Sequence, residues 1–250
     1  GARNPFPPVL AAGILLRMPD QSQSKSAAAA REAIRQAALV CFDNDGTLFA
    51  SHEVANPAIQ RSYVRFCRDH GLDLPAPADA RICELTGKPG HEFYREILPE
   101  PLRSLGPEFR LMCLEEEARE VLARGRFFDG IAALLADLRA AGRKLALVTN
   151  AGEVYCGAVS RRMGYDRLLD GIYHYGKDGR TRKSEMIEAA RRDFGAGTAV
   201  MVGDRASDLE GARGAGVPFV GCLFGYGSAE ELSGAEVLVR SVGELRAVLL

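Results

Sequence analysis

Leu39-Val40-Cys41-Phe42-Asp43-Asn44-Asp45-Gly46-Thr47 is the stretch from which the fold is read. With Ala38 before it, the apolar run stops abruptly at Asp43, which predicts a buried parallel strand over Ala38–Phe42. Side chains two apart on extended chain face the same side, so Asp43 and Asp45 point into one place where the chain leaves the sheet. Gly46 permits a tight exit there. Two carboxylates this close repel unless a cation lies between them or they share a proton. An ordinary polar turn after a strand is the competing account, and the other strand ends decide between the two.

Three further runs share this pattern: Lys144–Val148, Ala199–Val202 and Pro218–Leu223. Helical spacing is found over Ile131–Ala141, Tyr155–Met163 and Lys183–Phe194. Strands alternating with helices predict an α/β fold, a doubly wound parallel sheet covered on both faces. The span from Pro57 to Gly125 breaks the alternation. It is helical over Pro57–His70, Gly90–Ile97 and Pro107–Arg124, with proline-rich breaks at Leu74–Pro77 and Leu98–Pro101. The expected organisation is an N-terminal extension over residues 1–37, an α/β core over 38–54 and 126–250, and a helical insertion over 55–125.

The 250 residues are 47% hydrophobic, enough for one substantial core or a domain with a smaller insertion. Lys+Arg 32 against Asp+Glu 33 leaves a formal charge of −1, so no global field favours nucleic acid or an anionic membrane. A small soluble partner is expected; oligomeric state is not readable. Cys41, Cys67, Cys83, Cys113, Cys156 and Cys222 are scattered without Cys-x-x-Cys pairing, which predicts reduced thiols and a cytoplasmic protein. The apolar run Val9–Leu16 is too short to span a bilayer; a secretory signal after Arg3 is its alternative to a packed extension. Gln21–Ser26 reads as a linker and Ala27–Ala37 as a short helix.

The second strand run ends in Thr149-Asn150, offering a hydroxyl, an amide and free backbone N–H groups at the carboxyl edge of the sheet, where open α/β sheets bind ligands. A turn or helix N-cap is the plainer use of that pair. The third run ends in Gly203-Asp204, with Asp208 four residues on; both acids can face the same edge or simply serve a helix N-terminus.

Taken in order, Asp43-Asn44-Asp45-Gly46-Thr47-Leu48, Thr149-Asn150, a lysine placed at Lys183, and Gly203-Asp204-Arg205-Ala206-Ser207-Asp208 resemble the four motifs of the haloacid dehalogenase superfamily. The resemblance runs from about Leu39 to the C-terminus, lies nearest the phosphoglycolate phosphatases, and implies a Rossmann-like core. It also implies that Asp43 attacks phosphorus to form an aspartyl-phosphate, while Asp45 protonates the leaving oxygen and then activates water. Which of the two acids attacks is carried by the resemblance alone; that one carboxylate can form the covalent intermediate and another can shuttle the proton is general chemistry. The implied ligands of a metal are Asp43, the backbone carbonyl of Asp45, and Asp204, with Asp208 as ligand or supporting acid. An all-oxygen set points to Mg²⁺ rather than Zn²⁺. Lys183, Thr149 and Asn150 are the implied phosphoryl-binding groups.

The family usually follows its lysine with proline, whereas Ser184 follows Lys183; Lys88-Pro89 carries that dipeptide but precedes Thr149 and so is out of order. Lys177 is the weaker choice, lying far from the start of the helix at Ser184. The insertion resembles a helical cap, which can close over substrate and exclude water. Its loop Thr86-Gly87-Lys88-Pro89-Gly90-His91 makes Lys88 and His91 the expected substrate contacts, a plain surface turn being the alternative. Gly211–Gly216 has the look of a phosphate loop but follows a helix, so it reads as a helix end packed on the sheet. His52, His70, His91 and His174 have no metal spacing, and Gly225-Tyr226-Gly227 reads either as an active-site loop or as a turn.

The expected function is Mg²⁺-dependent hydrolysis of a small phosphorylated metabolite: phosphoglycolate-like, a sugar phosphate or a nucleotide. A sugar phosphomutase of the same superfamily is the alternative within it. A receiver-like phospho-acceptor domain also uses a strand-end Asp, Thr and Lys, yet would lack the helical insertion. A dehalogenase would not need Asp45, and an inactive binding protein would be expected to have lost one of Asp43, Asp45, Lys183 or Asp204.

Overall fold

The computed structural model describes residues 21–250; the apolar run Val9–Leu16 lies outside them. The chain begins with α1 (Gln21–Arg35), which absorbs the stretch expected as a linker: the alanine run that follows propagates helix back through Gln21–Ser26. The end of this segment is part of the core, with Ile34 and Ala37 fully buried. Strand β1 (Leu39–Phe42) comes next. Four helices follow, α2 (Ala55–Asp69), α3 (Asp79–Leu85), α4 (Gly90–Ile97) and α5 (Gly106–Arg124).

The alternation then resumes with α6 (Ile131–Ala140), β2 (Lys144–Thr149), α7 (Glu153–Met163), α8 (Tyr165–Leu168), β3 (Gly171–His174) and α9 (Lys183–Asp193). It continues with β4 (Ala199–Gly203), α10 (Ala206–Ala215), β5 (Phe219–Cys222), β6 (Val237–Val239) and α11 (Val242–Leu249). The six strands form one sheet in the order β3-β2-β1-β4-β5-β6, and every pairing is parallel. This is the expected α/β architecture, with β1 at the centre.

Alternation along β1 supplies two cores. Val40 and Phe42 join the cluster on one face with Leu145 and Leu147, while Leu39 and Cys41 join the other with Ala146 and Val148. Phe42 is in register with Leu147 on one side and Val202 on the other. Asp43 therefore leaves the sheet one residue before Thr149 and Asp204 do, all three at the same edge, and the Asp43 N–H extends the ladder to the Val202 carbonyl at 2.9 Å.

Helices α2 to α5 have a core of their own around Phe66, Cys67, Phe109 and Cys113, continuous with the cluster on one face of the sheet. The chain enters and leaves them at one point. Phe49 bridges Phe127, the Ala50 N–H donates to Arg126 O at 3.2 Å, and the Phe128 N–H donates to Leu48 O at 3.1 Å. Arg126 Nε also donates to Glu53 across the two crossings at 2.7 Å. All six cysteines are free thiols, and no helix of the described residues is long and apolar enough to cross a membrane.

Candidate active site

At the carboxyl edge of the sheet the chain turns sharply after Asp45. Gly46 has φ +86°, and a Cβ there would stand 2.2 Å from Asp204 Oδ2, so only glycine lets the two strand ends approach this closely. Lys183, the first residue of α9, reaches back over the sheet. Its ammonium donates to Asp43 Oδ1 at 2.7 Å and to Asp208 Oδ1 at 2.5 Å, with all three residues at most 4% exposed. Asp208, three residues into α10, accepts the backbone N–H groups of Asp204 at 3.1 Å and Arg205 at 2.9 Å on its other oxygen. A capping acid of α10 thus also anchors the lysine.

Asp204 accepts from the Thr47 hydroxyl at 3.0 Å and from the Tyr226 N–H at 2.7 Å. Gly225-Tyr226-Gly227 therefore belongs to the candidate site, closed down on Asp204 so tightly that a Cβ at Gly225 would meet its side chain at 2.5 Å. Asp45 lies to one side, accepting from the Tyr155 hydroxyl at 2.9 Å. Carboxylate oxygens of Asp43, Asp204 and Asp208 lie within 4.8 Å of one another. Three buried carboxylates face a single ammonium there, an excess that a divalent cation would offset, and oxygen-only donors suit a hard ion.

Burial is the main cause that pushes the Asp43 carboxyl up to about 7, helped by the neighbouring Asp208 and opposed by Lys183. Burial, then Asp43 and Asp208, also hold Asp204 well above the usual carboxylate range. Asp45 is raised, again first by burial. Burial works against the Lys183 ammonium, but Asp208 and Asp43 outweigh it and hold the lysine above its ordinary value.

Between this edge and helices α2 to α5 opens a cleft. Asp43, Asp45, Thr149 and Asn150 line it from the sheet side; Asn56, Lys88, Tyr94, Arg110 and Glu117 line it from the helical side. Glu117 is buried and accepts both its contacts from the Tyr94 hydroxyl, at 2.9 and 3.1 Å. Burial, opposed by the Tyr94 hydrogen bond and assisted by Asp45, pushes Glu117 up to about 8.

The model of the haloacid dehalogenase-like hydrolase family matches residues 37–216, which is most of the chain and includes Asp43, Asp45, Thr149, Lys183, Asp204 and Asp208, but not the loop around Tyr226. The chain belongs to that family. A 5'-nucleotidase of Pseudomonas aeruginosa is 31% identical over 213 residues, covering 80% of this chain and 90% of the relative. The tyrosine-protein kinase PtkA of Mycobacterium tuberculosis is 31% identical over 218 residues, 84% of this chain and 72% of that one. A phosphoglycolate phosphatase of Escherichia coli is 25% identical over 233 residues, 82% and 90%. Among solved structures, a predicted phosphatase from Clostridium acetobutylicum superposes with a TM-score of 0.70 at 26% identity, covering 84% of this chain and 97% of that one. The phosphoglycolate phosphatase-like resemblance is borne out, and this haloacid dehalogenase-like hydrolase is an enzyme of the phosphatase type.

Of the residues expected from sequence, this hydrolase gathers Asp43, Asp204, Asp208 and Lys183 into one buried cluster, with Asp45, Thr149 and Asn150 on the adjoining wall of the cleft. Lys177 is elsewhere, its ammonium donating to Ile172 O at 2.6 Å. Asn150 Nδ2 donates to Gly87 O at 2.8 Å, tying the sheet edge to the helical side. Lys88 lines the cleft but pairs with Glu96 at 2.7 Å, while His91 is more than half exposed, faces the Tyr175 ring and is not among the lining residues. Helix α10 packs on β4 and β5, as expected of this glycine-rich stretch, while Gly211 and Gly214 face α9: a Cβ at Gly211 would come within 2.6 Å of Lys183 Cβ and one at Gly214 within 2.9 Å of Ser184 Cβ.

Tyr155, Tyr226, Tyr94, Arg110 and Glu117 were not singled out as site residues from the sequence, apart from the loop around Tyr226. One signal was available. Phe109, Cys113, Glu117 and Val121 recur every four residues on α5, all buried, so Glu117 is an acid set in an apolar stripe.

Proposed function

We propose that this enzyme hydrolyses the phosphate monoester of a small metabolite with the help of Mg²⁺, through a phosphoryl group carried on Asp43. The observation that carries the reading is the Lys183 ammonium held between Asp43 and Asp208, beside Asp204, at the carboxyl edge of the sheet. Asp43 Oδ attacks phosphorus, the bond to the leaving oxygen breaks, and Asp45 passes that oxygen a proton. Asp45 then takes a proton from water, whose oxygen displaces Asp43 and releases inorganic phosphate. For this Asp43 must be ionised. Lys183 favours that form, opposing the burial that raises its pKa.

Asp43, the Asp45 carbonyl and Asp204 would hold the metal. Asp208, whose two oxygens already serve Lys183 and two backbone N–H groups, is given the supporting place. When bound, the ion supplies positive charge that lets anionic phosphate approach these acids. Thr149 and Asn150 bind phosphoryl oxygens. Helices α2 to α5 act as the cap: Asn150, Ser207 and Arg205 all hold its 83–87 loop, through Gly87 O and through the carbonyls of Cys83, Glu84 and Thr86. A closed cap keeps bulk water from the phosphoryl group.

The relative named as a tyrosine-protein kinase favours a second reading, in which a hydroxyl other than water takes the phosphoryl group from Asp43. Purified enzyme with p-nitrophenyl phosphate and Mg²⁺ separates the two: hydrolysis releases inorganic phosphate stoichiometric with p-nitrophenol. Transfer releases p-nitrophenol in excess of phosphate. EDTA is expected to stop both, and full activity without a divalent ion would sink the metal assignment.

A further inference from the structure

Arg110 is the anomaly of the cleft. Arg81, Arg143, Arg180, Arg191 and Arg205, the other partly buried arginines among the described residues, each donate to a carboxylate or a backbone carbonyl. Arg110 donates to neither and has no ion pair among the described residues, although it lines the cleft that holds Asp43 and Asp45. A guanidinium has five N–H donors in a planar fork, and removing it partly from water without an acceptor is unfavourable unless a ligand supplies one. The shape of the site accommodates it. From the second turn of α5 it reaches across to the loop after β2, where a Cβ on Gly152 would stand only 3.1 Å from its Nη2. Gly90, on the first turn of α4, is its neighbour on the helical side, where a Cβ would stand 3.7 Å from Arg110 Nε.

The charges of the two ends of the cleft differ. On the sheet side, Asp43, Asp45, Asp204 and Asp208 outnumber the single lysine, which pairs with Asp43 and Asp208; on the helical side, the buried acid Glu117 is bonded to Tyr94 and not to Arg110. The guanidinium is thus a cation left for the ligand. We propose that Arg110 is the specificity-determining residue of this enzyme and receives a second anionic group, carboxylate or phosphate, of a substrate whose first phosphate is over Asp43. The fork of Arg110 suits either oxyanion through two parallel hydrogen bonds. The substrate class follows: small phosphate monoesters with an acid group at the end remote from the reacting ester. This inference rests on the phosphatase reading above and narrows it.

Two matched pairs test it. Phosphoglycolate against ethyl phosphate differs by a carboxylate; fructose 1,6-bisphosphate against fructose 6-phosphate differs by a second phosphate. The wild-type enzyme is expected to favour the doubly anionic member of one pair by more than about tenfold in kcat/KM, carried by KM, and the pair that shows it tells carboxylate from phosphate. In Arg110→Ala that ratio falls to near one, and Arg110→Lys, which keeps the charge but not the fork, is intermediate. The intermediate lysine variant separates lost recognition from a misfolded site. Wild-type enzyme that releases phosphate from p-nitrophenyl phosphate but prefers neither doubly anionic member would overturn the proposal, as would a preference that survives in Arg110→Ala. Release from none of the five esters would instead overturn the phosphatase reading on which it stands.

Discussion

An ammonium group sealed between two carboxylates is sensitive to the loss of any one member. Lys183→Met leaves Asp43 and Asp208 facing each other without their common donor, and breaking a buried pair from one side costs about 3–5 kcal/mol. The urea midpoint is expected to drop accordingly, together with activity. Asp43→Asn retains the size of the side chain but removes the proposed nucleophile, so phosphate release should fall by more than about a thousandfold with folding retained, read by circular dichroism beside the assay.

Glu117 gives a pH dependence that is separate from the chemistry. Its folded pKa of about 8 lies above the ordinary carboxylate value, so the stability contributed by the neutral side chain is fully present below the unfolded value and is lost as pH rises through about 8. Glu117→Gln, which cannot ionise, should flatten that decline: relative to wild type its urea midpoint should rise steadily between about pH 5 and 8. A parallel shift at every pH would show that Glu117 is ionised in the fold. Legibility divides along the same line. Asp43, Asp45, Thr149 and Asp204 stand at strand ends in fixed spacings, so sequence order alone picked them out. Arg110 and Glu117 belong to a helix whose neighbours are set by packing, and nothing in their local sequence says which wall they face.

Among the elements, the four strands expected from sequence are the inner four of the sheet, buried on both faces and so written as continuous apolar runs. The two that were missed are its edges. Gly171–His174 is mostly half-exposed and Val237–Val239 is only three residues long, too little for either to carry a buried-strand signature. Helix α3 was hidden for a similar reason, its seven residues following directly on the proline-rich stretch.

The packing of α9 on α10 explains why a lysine without the usual proline still reaches the site. Gly211 lets α10 approach the first residue of α9, which fixes Lys183 above Asp43. On an open helix face Gly→Ala would stabilise by about 0.5–1 kcal/mol. Here Gly211→Ala should destabilise by about 1–3 kcal/mol and lower kcat, because the new methyl must displace Lys183. Thermal unfolding together with steady-state kinetics checks both; a rise in melting temperature would mean that the helices can separate at no cost.

For the molecule as a whole, Arg205 is the main tie between the sheet edge and the helical segment. Its guanidinium donates to Cys83 O at 2.7 Å, Thr86 O at 2.5 Å and Glu84 O at 3.0 Å, closing the carboxyl end of α3, and its Nε donates to Glu231 at 2.8 Å. It follows Asp204 directly, so the loop of the acids and the 83–87 loop are held by one side chain. Arg205→Ala should increase amide exchange in peptides covering residues 83–90 by about tenfold or more while β1 and β4 remain protected, measured by mass spectrometry. Unchanged exchange there would assign the tie to Asn150 and Ser207 instead.

The paired crossings at Phe49 and Phe127 have an evolutionary meaning. Since the helical segment starts and finishes at neighbouring points, a different run of helices can be spliced between them without stretching the chain or disturbing the sheet. On the proposed division of labour, in which the sheet breaks the ester and the helical segment chooses it, a chimera carrying a relative's residues between these crossings should exchange the choice of substrate while conserving the chemistry.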